Sequence, residues 1–409
     1  MKLGIVRTPE DDAGGPSLDL EKAIAEFYTD FPEHKKDVFI LNHQKFSTGW
    51  DAVKNIDDRL NALKEECPEA KLPLARSLAA GMFAGKLPCS VNIGPGGFTK
   101  KPEDPIFARI VIPAGDEFSA RLMKSIFVSN DPVSNENFPV MKEEYNNTEM
   151  WHRYVLDHEL GHAVTQLSLN KQEMKVSSLG NRAECEADTY AMIRHYQRYG
   201  HDSTFPEYLS DIRNMNAVQK GDVTHWTTRA LDELIEMNKQ GKLDNLTPQQ
   251  ARDLAVDIAA RNHLSADAEH NMQTAFAETV KITQTAQRKK SPDGARVMNY
   301  LDKACEIAAE TKSPATLEAC KRYVSSIKHY IPDDLPQDRT AEQLQNMAAN
   351  LKKAHSRELK EEPPMTGLKR VFRDVVIDVQ SGKNDNKKDG PPPDKRLPYY
   401  KKPKGPGVP

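Results

Sequence analysis

Two histidines with three residues between them, and a glutamate directly after the first, form the stretch His158-Glu159-Leu160-Gly161-His162. This spacing constrains the chain more than any other feature. On a helix, positions i and i+4 lie one above the other, so both imidazoles can reach one metal ion. Glu159 points at the same coordination position and can take a proton from water there. The surroundings suit a buried helix over 148–167. Trp151, Val155, Leu156, Leu160, Ala163, Val164 and Leu167 recur at helical spacing with no proline among them. Asn147 or Thr148 can cap its start, and Glu149 sits in the first turn, where an anion is favoured. The alternative is a core helix that carries two histidines and a glutamate by chance.

An open catalytic site needs a third protein ligand and leaves a fourth position for water. The three-histidine extension H-E-x-x-H-x-x-G-x-x-H fails, because Thr165 and Ser168 stand where glycine and histidine would be required. A second helix, expected over 181–199 and ending at Gly200, offers Glu184 and Asp188 at i and i+4. Glu184 can bind the metal while Asp188 hydrogen-bonds a ligating histidine. Glu184 could instead only cap its own helix, paired with Asn181. Glu186, the rival ligand, lies about 200° around the helix from Glu184, so the two cannot serve one ion. Cys185 reads as a small buried side chain.

The combination of H-E-x-x-H with a following E-x-x-x-D helix resembles the gluzincin metallopeptidases, the thermolysin-like branch of the zincins. The resemblance covers residues 148–200. It implies His158, His162 and Glu184 as ligands of Zn²⁺, Glu159 as general base and Asp188 as the acidic residue behind a ligand. Glu-Cys-Glu-Ala-Asp is also similar to a stretch of some integral-membrane gluzincins, a local likeness only, since no run of 18 apolar residues occurs here. Gluzincins commonly take a transition-state hydrogen-bond donor from their C-terminal half. His225, expected to start a helix, is the foremost candidate, with Tyr190, His195 and His201 as competitors.

Around this core the chain reads as an α+β protein. Helices are expected at 18–31, 50–66, 72–85 and 116–128, with β runs at 37–41, 90–93 and 107–112. Gly94-Pro95-Gly96-Gly97 lacks the G-x-x-x-x-G-K-[ST] pattern of a phosphate loop and reads as a hairpin connection. Zincins generally have a small sheet whose edge strand pairs with an extended peptide, and the strand near 90 or the one near 110 could be that edge. From 205 to 355 the pattern is almost wholly helical, with starts near 247, 265, 291, 313 and 340. Their uneven spacing favours an irregular bundle over a repeat. Val371 to Val379 reads as a short strand or helix. The expected organisation is a zincin-like catalytic domain over 1–204, a helical domain over 205–380 that completes the cleft, and a disordered tail over 381–409. That tail is proline-rich and carries eight Lys/Arg against three Asp; it could dock a protein partner or remain a plain solvated tail.

The net charge of −3 argues against a general nucleic-acid or membrane-surface binder. Five dispersed cysteines with no C-x-x-C pair favour a reducing compartment or a fold that needs no disulfide. The first residues lack the apolar core of a secretory signal, so the expected location is cytoplasmic, although export through a specialised system would leave the same sequence. Three functions compete: a zinc peptidase acting on peptide or protein substrates, a catalytically silent zincin-like scaffold, and a zinc hydrolase of a non-peptide amide.

Overall fold

The computed structural model describes residues 17–46, 49–66, 88–94, 97–99, 106–120 save 117 and 119, 143–165, 177–289 and 293–327, with a few isolated positions beyond 345. The helix expected at 72–85, most of that at 116–128, the start near 340, the 371–379 segment and the tail lie outside the described residues. The chain divides into two compact units, Met1–Ser356 and Arg357–Pro409. Every described residue belongs to the first.

The sheet has four strands: β1 (Val38–Ile40), β2 (Cys89–Gly94), β3 (Gly97–Thr99) and β4 (Ala108–Ile112), in the order β1-β4-β2-β3. β1 runs parallel to β4, and the other pairings are antiparallel. β3 was not expected; the glycine-rich stretch closes a hairpin in which Gly94 pairs with Gly97. β4 is paired on both sides and all five of its residues are buried, as its apolar run implies. The sheet's two faces follow the two-residue period of its strands. Phe39, Val91, Ile93, Ala108, Ile110 and Ile112 join Ile56 and Leu60 of α2 (Gly49–Glu66) in a small core. Val38, Ile40 and Val111 face the main core.

That main core is helical. α1 (Leu20–Asp30) is capped by Asp19. α3 (Thr148–Val164) is the expected metal-binding helix, capped by the Asn147 side chain, and 14 of its 17 residues are buried. Its buried charges are therefore paired. Arg153 bonds Asp157 and Glu26, and Arg198 also reaches Asp157. α4 (Leu179–Tyr199) packs along α3 and ends at Gly200, whose φ of 98° suits a residue without Cβ. α5 (Phe205–Lys220), α6 (Thr228–Lys239), α7 (Pro248–Asn262), α8 (Ala266–Lys289), α9 (Asp293–Glu310) and α10 (Pro314–Ile327) complete an irregular bundle. Thr247 and Gln250 form the expected capping box at α7, with proline at its first turn.

One hydrophobic cluster runs from Leu18 to Val324 and so crosses position 204, where the border between a catalytic and a helical domain was expected. Among the described residues, no helix is long and apolar enough to cross a membrane.

Candidate metal centre

α3 and α4 approach closely because Gly161 has no side chain. A Cβ there would stand 2.8 Å from the Cα of Ala187 and 3.1 Å from its carbonyl oxygen. The far end of α3 is fixed by the sheet: buried Arg109 of β4 donates to the carbonyl of His162, one of the acceptors left over at a helix C-terminus. Burial lowers the Arg109 guanidinium to about 10, while Asp37 and Glu186 pull the other way.

This packing brings His158, His162 and Glu184 together, with ligand atoms all within 4.8 Å of one another. Nε2 of His158 lies 3.2 Å from Oε2 of Glu184, and Nε2 of His162 lies 3.6 Å from the same oxygen. The second is too long for a hydrogen bond, and Oε2 is a buried oxygen with no hydrogen-bond partner. A cation between the three side chains would satisfy it. Two imidazoles and a carboxylate on facing helices are a donor set suited to Zn²⁺.

The electrostatics agree with a cationic occupant. Burial would lower the His158 imidazole, but Asp188 and Glu184 raise it to about 10. Burial would raise the Glu184 carboxyl, but His162, His158 and His225 hold it well below the ordinary range. Glu159 behaves differently: burial lifts its carboxyl above the usual value, against the pull of His158 and His162.

Asp188 sits behind the site with none of its surface exposed. His158 Nδ1 donates to its Oδ1 at 2.8 Å, which turns Nε2 toward Glu184, where it would offer its lone pair to a metal ion. Tyr154, Thr227 and both ends of the Arg213 fork also donate to Asp188. Arg213 neutralises the buried carboxylate, and with His158 it outweighs the effect of burial and holds it well below its ordinary range.

His225 also approaches Glu184, its Nε2 3.4 Å from the same Oε2 and its Nδ1 2.7 Å from Asp222 Oδ1. It lies in the loop before α6, whose first residue is Thr228, and does not start a helix as expected. It falls outside the three-residue ligand group.

The other candidates are elsewhere. Tyr190 is buried against Phe31, about 240° around α4 from Glu184. His195 bonds Ser203, and His201 bonds Asn238 and Asp244. Glu186 turns away from the site and pairs with Arg182. Asn181 does not cap α4 with Glu184; Ser178 is the cap, and its side chain accepts from the Asn181 N–H.

Arg213, Thr227 and Asp222 had no assigned role in the sequence reading. Asp222 carries a local signal, three residues before a histidine across a turn. Arg213 and Thr227 carry none, since they meet Asp188 only through the packing of α4, α5 and the following loop. Comparison with protein-family models, with curated proteins and with solved structures finds no match.

Proposed function

We propose that the protein is a zinc-dependent peptidase of the gluzincin type, with His158, His162 and Glu184 as metal ligands. The observation that carries this reading is the convergence of His158 and His162 on a buried oxygen of Glu184 that has no hydrogen-bond partner. Bound there, zinc supplies Lewis-acid polarisation of the substrate carbonyl and acidifies a water molecule to a pKa of about 7. Glu159 accepts the proton of the attacking water and returns it to the leaving amine. Its raised affinity for protons suits a group that holds one in mid-reaction. His225, oriented by Asp222, donates from Nε2 to the oxygen on which charge develops.

The topology supports a peptide substrate. β3 pairs with Asn92, Ile93 and Gly94 of β2, so among the described strands the outer edge of Cys89, Ser90 and Val91 has no partner. An extended peptide can add to that edge. β4, the other candidate edge, is an interior strand.

The test is metal content together with cleavage. Purified protein should carry about one zinc per chain. Glu159→Gln should retain the zinc and lose about 10²- to 10⁴-fold in cleavage of fluorescein-labelled casein. Zinc content unchanged by His158→Ala would sink the ligand assignment.

A second reading is favoured by one distance. His225 Nε2 is as close to Glu184 Oε2 as the two helix histidines are. Were it a fourth ligand, the site would be closed and structural, as in an interaction protein. His225→Ala separates the two: a donor's loss leaves zinc bound, whereas a ligand's loss releases it.

A further inference from the structure

The segment 222–227 that carries His225 is irregular: the carbonyls of Val223 and His225 accept from the Trp226 and Thr227 N–H groups within it, and its other carbonyls need donors from elsewhere. One side chain reaches those of Thr224 and Trp226. Asn181 is fully buried in the first turn of α4, one helical turn before Glu184. Its Nδ2 donates to the carbonyls of Thr224 at 3.0 Å and Trp226 at 3.1 Å, with that of Val223 at 3.5 Å. These carbonyls flank His225 on both sides. The Asn181 Oδ1 is occupied as well, accepting from the backbone N–H of Leu264 at 2.7 Å.

A second tie runs through α8. The Glu269 carboxylate accepts from Thr224 Oγ1 at 2.8 Å and from Ser178 Oγ, the cap of α4, at 2.5 Å. Neither Asn181 nor Glu269 faces the metal ligands. Asn181 joins the start of the Glu184 helix to the residues on either side of His225, and Glu269 joins it to Thr224, the residue before.

We propose that Asn181 and Glu269 are positioning residues that clamp the 222–227 segment onto the first turn of α4 and so set His225 against Glu184. The inference deepens the proposed function and rests on it for the role of His225. The amide is required at Asn181, because a carboxylate of the same shape would turn an oxygen toward those carbonyls. A wrongly placed donor costs transition-state stabilisation while leaving the metal in place.

The experiment uses the full-length, zinc-loaded protein and the variants Asn181→Asp, Glu269→Gln, His225→Ala and Asn181→Asp/His225→Ala. Activity is read on fluorescein-labelled casein, and the His225 ring resonances, assigned by their loss in His225→Ala, are read by NMR. Asn181→Asp should lower kcat about 10- to 100-fold with zinc stoichiometry unchanged and KM within about twofold. Glu269→Gln should move kcat the same way by about fivefold. The double variant should be no slower than His225→Ala alone, since both changes remove one function. The His225 resonances should shift in both single variants.

Unshifted resonances in both, or a double variant slower than His225→Ala by the full factor of Asn181→Asp, would overturn the proposal. A zinc-loaded wild type that cleaves no casein would defeat the hydrolytic reading alone, and the resonances would still decide the positioning role. Should Asn181→Asp fail to fold, Glu269→Gln at its partly exposed site decides by the same signals.

Discussion

Asp188 shows how much one buried carboxylate can be asked to do. It orients the His158 ring, its own charge is balanced by Arg213, and the Tyr154 and Thr227 hydroxyls donate to its oxygens. Replacing it with asparagine keeps the shape but removes the charge that would make the His158 ring a better donor to the proposed metal. Asp188→Asn should therefore weaken zinc binding about 10- to 100-fold, measured by competition with a chelating dye. It should also destabilise the fold by about 3–5 kcal/mol, because Arg213 would be left as a buried charge without its partner. Zinc affinity equal to wild type would show that Asp188 does not act through His158. His195 offers a separate residue-level test. Burial lowers its imidazole from 6.5 to about 4, with Arg198 assisting and Asp157 opposing. The unfolded chain takes up a proton below about pH 6.5 and the folded chain does not until about pH 4. The stability that neutral His195 permits is thus complete above the upper value and declines as the pH falls toward the lower one. Between pH 7 and 5 its share of the loss is about 2 kcal/mol. Urea midpoints of wild type should fall more over that interval than those of His195→Gln; equal falls would refute the assignment.

The α3–α4 pair is the element on which the site depends, and its contact is set by backbone against backbone. Gly161→Ala would ordinarily favour a helix by about 1 kcal/mol. Here the new Cβ would meet the Ala187 Cα at 2.8 Å, and a backbone atom cannot step aside. The helices must separate, at a cost of about 1–3 kcal/mol. Because the proposed ligands lie on both helices, zinc affinity should fall together with the urea midpoint. A variant as stable as wild type with unchanged zinc affinity would contradict this account. The same pair shows what the chain declares locally and what it does not. The His158/His162 spacing, the Asn147 cap, the Gly200 stop and the Glu184/Asp188 spacing are all local patterns, and the fold places those four site residues together. The helix was expected from 181 and starts at Leu179, because Ser178 as well as Asn181 is a good capping residue. The choice falls to Ser178, whose backbone N–H bonds the carbonyl of Leu264, far along the chain. β3 escaped notice because three residues beginning with glycine carry no alternation; only its pairing with β2 defines it. Arg213 lies 25 residues from Asp188 and on another helix, so no periodicity connects them.

For the whole molecule, the site is assembled across the position where a domain border was expected. His158, Glu159, His162, Glu184 and Asp188 precede residue 204, whereas Arg213, Asp222, His225 and Thr227 follow it. The division is physical as well as formal. A fragment ending at 204 would retain the fully buried carboxylate of Asp188 but lose the guanidinium that neutralises it. It would also expose Met192 and Ile193 of α4, which belong to the same continuous core as Leu231, Leu234, Ala255 and Ile258 of α6 and α7. Asn181 would lose every acceptor it serves in the 222–227 segment, together with the Leu264 N–H. Burial of the apolar groups alone is worth about 1.5–3 kcal/mol for each large side chain, and net stability of a domain is only about 5–15 kcal/mol. The fragment 1–204 should therefore show no cooperative thermal transition and no near-ultraviolet circular dichroism of fixed aromatic side chains. Its zinc affinity should fall well below that of the full chain, because the binding energy would have to organise α3 and α4 as well as fill the site. A fragment 1–204 that melts cooperatively and binds zinc as tightly as the intact protein would show that the first half is a domain in its own right, with the helical half an accessory to it.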